Sequence, residues 1–236
     1  MRLGIMQPYF FPYIGYFSLI KQVDRFILFD TVQFKRHGWI ERNRILNPVE
    51  GWQYFQVPLQ KHPREIRIKD TLINNALDWK RKIFGQLQHY KKISANFSPV
   101  MELLDNIFRP EYSEIASLNK AALQGVCDYL NIDTPIDIYS DMNLSIDPAN
   151  APDEWALNIC KAMVGVDEYW NPPGGITFFD RSKYEANKIC LKFHQVNPVE
   201  YDQKRAPFEA NLSIIDVMMF NSKEKINEML DSYELL

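Results

Sequence analysis

The stretch Gln7-Pro8-Tyr9-Phe10-Phe11-Pro12-Tyr13-Ile14-Gly15-Tyr16, directly behind a short apolar start, decides how the rest of the chain is read. Each proline holds its own φ near about −65° and pushes its predecessor toward an extended conformation. Helix is therefore broken at Gln7 and Phe11, and a rigid turn is expected. From Gly15 onward Phe17, Leu19, Ile20 and Val23 recur at helical spacing, and Asp24-Arg25 lead into the apolar run Phe26-Ile27-Leu28-Phe29, which ends at Asp30. The pattern predicts strand, rigid loop, helix, strand. Such a unit sets a loop and a helix N-terminus at the carboxyl end of the first strand, where open α/β sheets bind ligands. Phe10, Phe11 and Phe17 serve equally well as core plugs. Gln7 and Asp30 are polar and fall at strand ends, within reach of a cleft.

Beyond Asp30, the segment Thr31 to Ile45 mixes aromatic, basic and amide residues and reads as a loop and a second strand. Lys35, Arg36, Arg42 and Arg44 are either a solvated basic face or a small anion site, since guanidinium groups match phosphate and carboxylate with a planar fork. Trp39 can stack on a base or sugar, and Asn43 and His37 add polar reach.

The remaining chain repeats the alternation. Trp52 to Leu59 reads as a strand ending at Pro58, and Glu65 to Lys69 as another. Residues 75–131 read as a helical lobe of three amphipathic helices, the first marked by Trp79, Ile83, Leu87 and Tyr90, the second capped by Ser98 before Pro99, the third stopped at Asn131. An extended piece, Pro135 to Tyr139, precedes a helix over Pro152 to Val164. Tyr169-Trp170-Asn171-Pro172-Pro173-Gly174-Gly175 reads as a fixed turn, either purely structural or bringing Trp170, Asn171, Gly174 and Gly175 against a ligand. Ile189 to His194 reads as a strand with His194 exposed at its end or catalytic. Ser213 is placed to cap a buried helix with Asp216 in its first turn, and an amphipathic helix follows Ser222.

Bulk properties narrow the classes. The 236 residues suffice for one domain, 1–236, carrying its lobe, and the net charge of −3 gives no general support for a nucleic-acid partner. No basic and apolar leader begins the chain, and no apolar stretch approaches the roughly eighteen residues of a spanning helix, so a cytoplasmic protein without membrane insertion is expected. Cys127, Cys160 and Cys190 sit among apolar residues and read as buried, reduced thiols. There is no nucleophile elbow, P-loop or G-x-G-x-x-G, and no His or Cys pair at ligand spacing, so no metal is assigned.

The opening run, followed by Asp24, Asp30, Gln33-Phe34 and Trp39-Ile40-x-Arg42-Asn43-Arg44-Ile45, resembles the signature of the WbqC-like family; Tyr169 to Gly175 and Tyr201 to Asp216 resemble its later half. That resemblance implies a part in bacterial surface-polysaccharide assembly such as O-antigen (lipopolysaccharide) biosynthesis, in which an amino sugar is decorated on its amine. Pro12-Tyr13-Ile14-Gly15-Tyr16 also stands where nucleotidyltransferase-like α/β folds carry His-x-Gly-His, which implies a Rossmann-like sheet with the helical lobe inserted. Here tyrosines stand at both histidine positions, and a phenol supplies no cationic imidazole near neutral pH.

The resulting expectation is an N-acyl or N-aminoacyl transferase acting on a nucleotide-linked amino sugar. Asp30 or His37 would serve as base, with Asp30 alternatively a strand-end cap. Gln7 and Asn43 would donate hydrogen bonds, and Lys35, Arg42 and Arg44 would hold the diphosphate. Pro8, Tyr13, Tyr16 and Trp39 would complete the substrate site. No tightly bound cofactor is expected; the acyl donor would be a thioester of coenzyme A or an acyl carrier protein. The alternatives are an ATP-dependent ligase that forms an acyl-adenylate, and a non-catalytic protein that binds a glycan or nucleotide sugar.

Overall fold

In the computed structural model, which describes residues 1–236, the apolar start forms β1 (Arg2–Met6), and the Pro-rich loop leads into α1 (Ile14–Gln22) and β2 (Arg25–Leu28). A hairpin of β3 (Arg42–Leu46) and β4 (Trp52–Gln56) follows, then the helices α2 (Trp79–Leu87), α3 (Phe97–Phe108) and α4 (Ile115–Leu130). The chain continues through β5 (Ile136–Ile138), α5 (Glu154–Ala162), β6 (Glu168–Asn171), α6 (Arg181–Ala186) and β7 (Cys190–Val196). It closes with α7 (Ile214–Phe220), α8 (Lys223–Leu230) and β8 (Tyr233–Leu235).

The main sheet has the order β5-β2-β1-β6-β7-β8, parallel throughout except for β8. Counted along the chain, its five parallel strands run 3-2-1-4-5, a Rossmann-like α/β arrangement whose winding reverses between β1 and β6. Leu3 and Ile5 pack on one face with Ala156, Leu157 and Ile159 of α5 and Tyr184 of α6. The opposite face carries the larger core, built from α1, α3, α4, α7 and α8 together with the β3–β4 hairpin, so residues 75–131 share a core with the sheet's own helices. Within α1, every residue from Ile14 to Ile20 is buried because the helix is enclosed on nearly all sides. No helix is long and apolar enough to cross a membrane.

Local chemistry sets several boundaries. Asn131 ends α4 in the left-handed conformation at φ 57°, and the hydroxyls of Ser213 and Ser222 accept backbone N–H bonds from Ile215 and Lys225 at the starts of α7 and α8. Elsewhere the structure departs from expectation. Glu65 to Lys69 is no strand: it enters a 3-10 turn over Ile68–Asp70, with one bridge from Arg67 to Gln33. The turn expected over Tyr169 to Gly175 is present from Pro172 to Gly175, but Tyr169, Trp170 and Asn171 belong to β6, a central strand that Pro172 ends. Cys127 and Cys160 are buried, but Cys190 is exposed, because strand alternation turns Leu191 and Phe193 inward.

His194 is also not an exposed strand end. It is 3% exposed, stacked on Tyr233 with ring centroids 4.6 Å apart. The Ser18 hydroxyl gives its proton to the Leu230 carbonyl (2.7 Å), so the 3.0 Å contact from His194 Nε2 places the imidazole proton on that nitrogen. Burial pushes the His194 pKa down to about 4. A depressed histidine contributes stability that is present above its unfolded pKa and lost as pH falls toward the folded one. Between pH 7 and pH 5 the loss is about 2 kcal/mol. Replacing His194 with glutamine should flatten the fall in melting temperature over that interval; a parallel fall in both proteins would show that His194 does not carry it.

Candidate functional site

The loop after β1 is held by side chains from distant parts of the chain. Tyr16 Oη donates to the Gln7 carbonyl (2.8 Å), Asn119 Nδ2 to that of Pro8 (2.8 Å), and Asn43 Nδ2 to those of Phe10 and Phe11 (3.1 Å each). Ser213 Oγ donates to the Phe11 carbonyl (2.7 Å), and Ile214 N–H to that of Pro12 (2.9 Å). Phe11 itself lies at φ 41°, a conformation a bulky side chain rarely adopts. Such strain persists only where the surroundings over-determine the backbone, and here five partners do so. Phe10 and Phe11 are fully buried plugs beneath, and the loop presents Tyr9 and Tyr13 above. Gly15 permits this: a Cβ there would overlap the Tyr13 ring and come within 3.0 Å of Val196.

A cleft opens at the carboxyl ends of β1 and β6, where the sheet order reverses. It has two adjoining lobes. The first, about 690 Å³, has walls from Tyr9, Tyr13, Trp39 and Phe179, the Pro172 to Gly175 turn, and Arg44 as its one charged side chain. The second, about 780 Å³, lies between the β1 and β2 ends and the start of α5; Gln7, Phe29, Val32 and Trp155 border it, and Lys35 is its one charged side chain. Met6, Tyr9, Asn171, Phe178 and Phe179 border both. Pro12 and Tyr13 lead directly into α1, so the positive end of its dipole adjoins the first lobe.

Strand alternation on β3 explains the Arg44 position. Asn43 and Ile45 point inward, while Arg42 and Arg44 share the outer face. The Arg44 guanidinium lies 5.4 Å from the Trp39 ring centroid and 5.1 Å from that of Trp52, and Nη2 donates to the Asn211 carbonyl (3.1 Å). Its Nε is buried without a partner. On β6, Asn171 donates through Nδ2 to Tyr169 Oη (2.7 Å), while its Oδ1 accepts no bond from the protein. A Cβ on Gly175 would overlap that oxygen and approach Phe179 within 2.9 Å, so the turn closes on the strand only with glycine there.

Most of the other expected site residues fall outside the lobes, and Asn43, which borders the first, is occupied within the protein. Tyr16 is 1% exposed and works from below, holding the Gln7 carbonyl. Pro8 is buried at the loop's base. Asn43 has both amide hydrogens committed to Phe10 and Phe11, leaving none to donate to a ligand. Asp30 is 1% exposed, borders neither lobe, and accepts from the Ser140 N–H (3.1 Å) and hydroxyl (2.6 Å), the arrangement of a strand-end cap. His37 is an exposed turn residue at φ 60° whose N–H donates to Glu41 and whose carbonyl accepts from Arg42. That bond, with the Tyr54 ring 3.9 Å beneath the guanidinium, keeps Arg42 outside both lobes. Trp170 faces the larger core, its indole N–H on Glu168. Lys35, Arg42 and Arg44 therefore do not form one anion site: Lys35 and Arg44 stand in different lobes.

Sequence reasoning misses Tyr9, Phe178, Phe179 and Trp155 as site residues. Helical spacing sets Trp155 on the core face of its helix, yet it stays 39% exposed against Phe29. Tyr9 lies inside the opening motif, and its proximity to Tyr13 is the available signal.

Comparison with known proteins adds a family. Residues 7–228 match the profile described as the WbqC-like protein family. The chain is 29% identical to the uncharacterized protein Rv1507c of Mycobacterium tuberculosis over 223 residues, covering 93% of each. No solved structure matches it.

Proposed function

The chain belongs to the WbqC-like protein family, which is linked to polysaccharide biosynthesis, and we propose that it transfers an acyl or aminoacyl group to the amine of a nucleotide-linked amino sugar. The observation that carries this reading is the first lobe. It combines aromatic walls for sugar and base faces with unpaired amide capacity at Asn171 and a single guanidinium, prepositioned between two tryptophans, for a diphosphate. In the reaction the neutral amine attacks the acyl carbonyl, a C–N bond forms, the bond to the leaving thiolate breaks, and the amine's proton passes to that thiolate. The chain's part is to bind, to orient the two reactants and to exclude water.

A second reading, a non-catalytic nucleotide-sugar binding protein, is favoured by a different observation: neither lobe is bordered by a carboxylate or an imidazole. Incubating the protein with a UDP-linked amino sugar and an acyl-coenzyme A or acylated carrier protein separates the two. Saturating nucleotide sugar should raise the melting temperature by about 5–10 °C, and the sugar should gain the mass of the acyl group. Release of AMP only when ATP is supplied would replace this with the adenylate-forming ligase. Stabilisation without a new product under any donor would leave the binding protein.

A further inference from the structure

The second lobe is larger than the first and differs in chemistry. Apart from Lys35, which is exposed, its wall is mostly apolar, with Phe29, Val32, Trp155 and Phe178 among the residues that line it. Gln7 at the base of the lobe makes no side-chain hydrogen bond within the protein. Trp155 is 39% exposed and Phe178 51% exposed, so two large apolar side chains that border the lobe, one resting on Phe29 and the other on Phe179, keep a face open to solvent. The lobe meets the first at Asn171 and Tyr9; the Tyr9 hydroxyl has no hydrogen-bond partner in the protein, and burial keeps this phenol in its neutral, donating form.

We propose that this second lobe is the donor site and receives a phosphopantetheine thioester arm, with its phosphate at Lys35, its amides near Gln7, and its acyl carbonyl at the Tyr9–Asn171 boundary facing the amine in the first lobe. The assignment rests on the transferase reading above. The match is one of charge and polarity. A pantetheine arm is a slender chain of apolar segments and amides with one phosphate end, which suits apolar walls, a free amide and one ammonium group. A nucleoside triphosphate has no slender chain of apolar segments and amides to lie along that wall between its phosphates and the boundary. At the boundary the Tyr9 hydroxyl donates to the thioester oxygen as negative charge develops there, while the carbon–sulfur bond breaks and the thiolate takes the amine's proton. Coenzyme A and a carrier protein present the same arm, so the lobe's chemistry is common to both.

Calorimetric titration of the full chain with acetyl-coenzyme A, with holo and apo acyl carrier protein, and with a UDP-linked amino sugar tests the assignment in three variants. Trp155→Ala should weaken the thioester ligand at least tenfold and alter nucleotide-sugar affinity less than twofold. Arg44→Ala should do the reverse. Tyr9→Phe should leave both affinities within threefold and lower kcat at least tenfold, a division that a merely structural tyrosine would not produce. Binding of acetyl-coenzyme A identifies the free cofactor as the source; binding of holo but not apo carrier protein alone identifies the carrier. No binding by any thioester, or equal loss of both ligands in Trp155→Ala, overturns the donor-site assignment while leaving nucleotide-sugar binding to stand. Loss of nucleotide-sugar binding in the unmodified protein would instead remove the reading beneath it.

Discussion

Replacing Asp216 with alanine is expected to lower stability by about 4 kcal/mol and the melting temperature by roughly 8–16 °C. The Asp216 carboxylate is fully buried in the first turn of α7, where it accepts from Tyr90 Oη (2.5 Å) at one oxygen and from Tyr201 Oη (2.5 Å) and Gln203 Nε2 (3.0 Å) at the other. Tyr90 Oη accepts in turn from the Leu46 N–H (2.9 Å), so one carboxylate ties β3, α7 and the segment before α7. Alanine leaves the Tyr90 and Tyr201 hydroxyls without their acceptor and the Gln203 amide with only the Glu209 carbonyl (3.0 Å) and the Tyr201 oxygen. Asparagine should cost less but still destabilise, because its amide hydrogens face hydroxyls already committed as donors.

The pH dependence separates this site from His194. Burial raises the Asp216 pKa despite its three donors. A raised folded-state carboxyl contributes stability that is present below the unfolded pKa and lost as pH rises through the folded value, the opposite sense to His194. Alanine forgoes that contribution, so the Asp216→Ala deficit, measured by chemical denaturation, should grow on acidification. A deficit unchanged from pH 7 to pH 4 would mean the carboxyl is no better protonated in the folded state than in the unfolded one.

Much of the fold was legible because its signals are local. Pro8 and Pro12 bracket a loop that no helix can cross, Ser213 and Ser222 cap the helices they precede, and Asn131 takes the left-handed end that its short amide tolerates. β6 was not legible: the three residues ahead of Pro172-Pro173 look like part of the turn, and only pairing with β1 and β7 makes them part of a central strand. The same distinction divides the site. That ligands belong at the end of β1 follows from strand–loop–helix order, but which side of a residue faces the cleft depends on partners far away in sequence. Asn43 looks like a free amide until Phe10 and Phe11 stand above it, and Asp30 looks like a base until Ser140, from the other end of the helical lobe, closes on it. The cations Lys35, Arg42 and Arg44 are close in sequence, yet they end in three different places: Lys35 in the second lobe, Arg44 in the first, and Arg42, on the same face of β3 as Arg44, held outside both by the His37 carbonyl and the Tyr54 ring.

Asn43→Ala is the change expected to couple stability to ligand binding most strongly. Asn43 is 4% exposed; beyond its two bonds to the loop carbonyls, its Oδ1 accepts from the Arg44 N–H (2.8 Å). Removing the side chain leaves the Phe10 carbonyl without its side-chain partner and opens space beneath a loop whose Phe11 backbone is strained, at a cost of about 3 kcal/mol. The strain then has an outlet, and Phe11 can relax from φ 41° toward the ordinary region. Relaxation moves what the loop carries: Tyr9 at the boundary between the lobes, Tyr13 in the first lobe, and, through the lost Oδ1 bond, the backbone of Arg44. Nucleotide-sugar affinity should fall by more than tenfold even at about 15 °C, where the variant remains folded, since misplacing several contacts at once costs more than any one of them. Asn119→Ala supplies the comparison. It removes a comparable buried amide from the Pro8 carbonyl at the loop's base, away from the Phe11 strain, and should cost similar stability with a smaller loss of affinity. Equal affinity losses in the two variants would locate the effect in general loosening of the loop rather than in release of the Phe11 conformation.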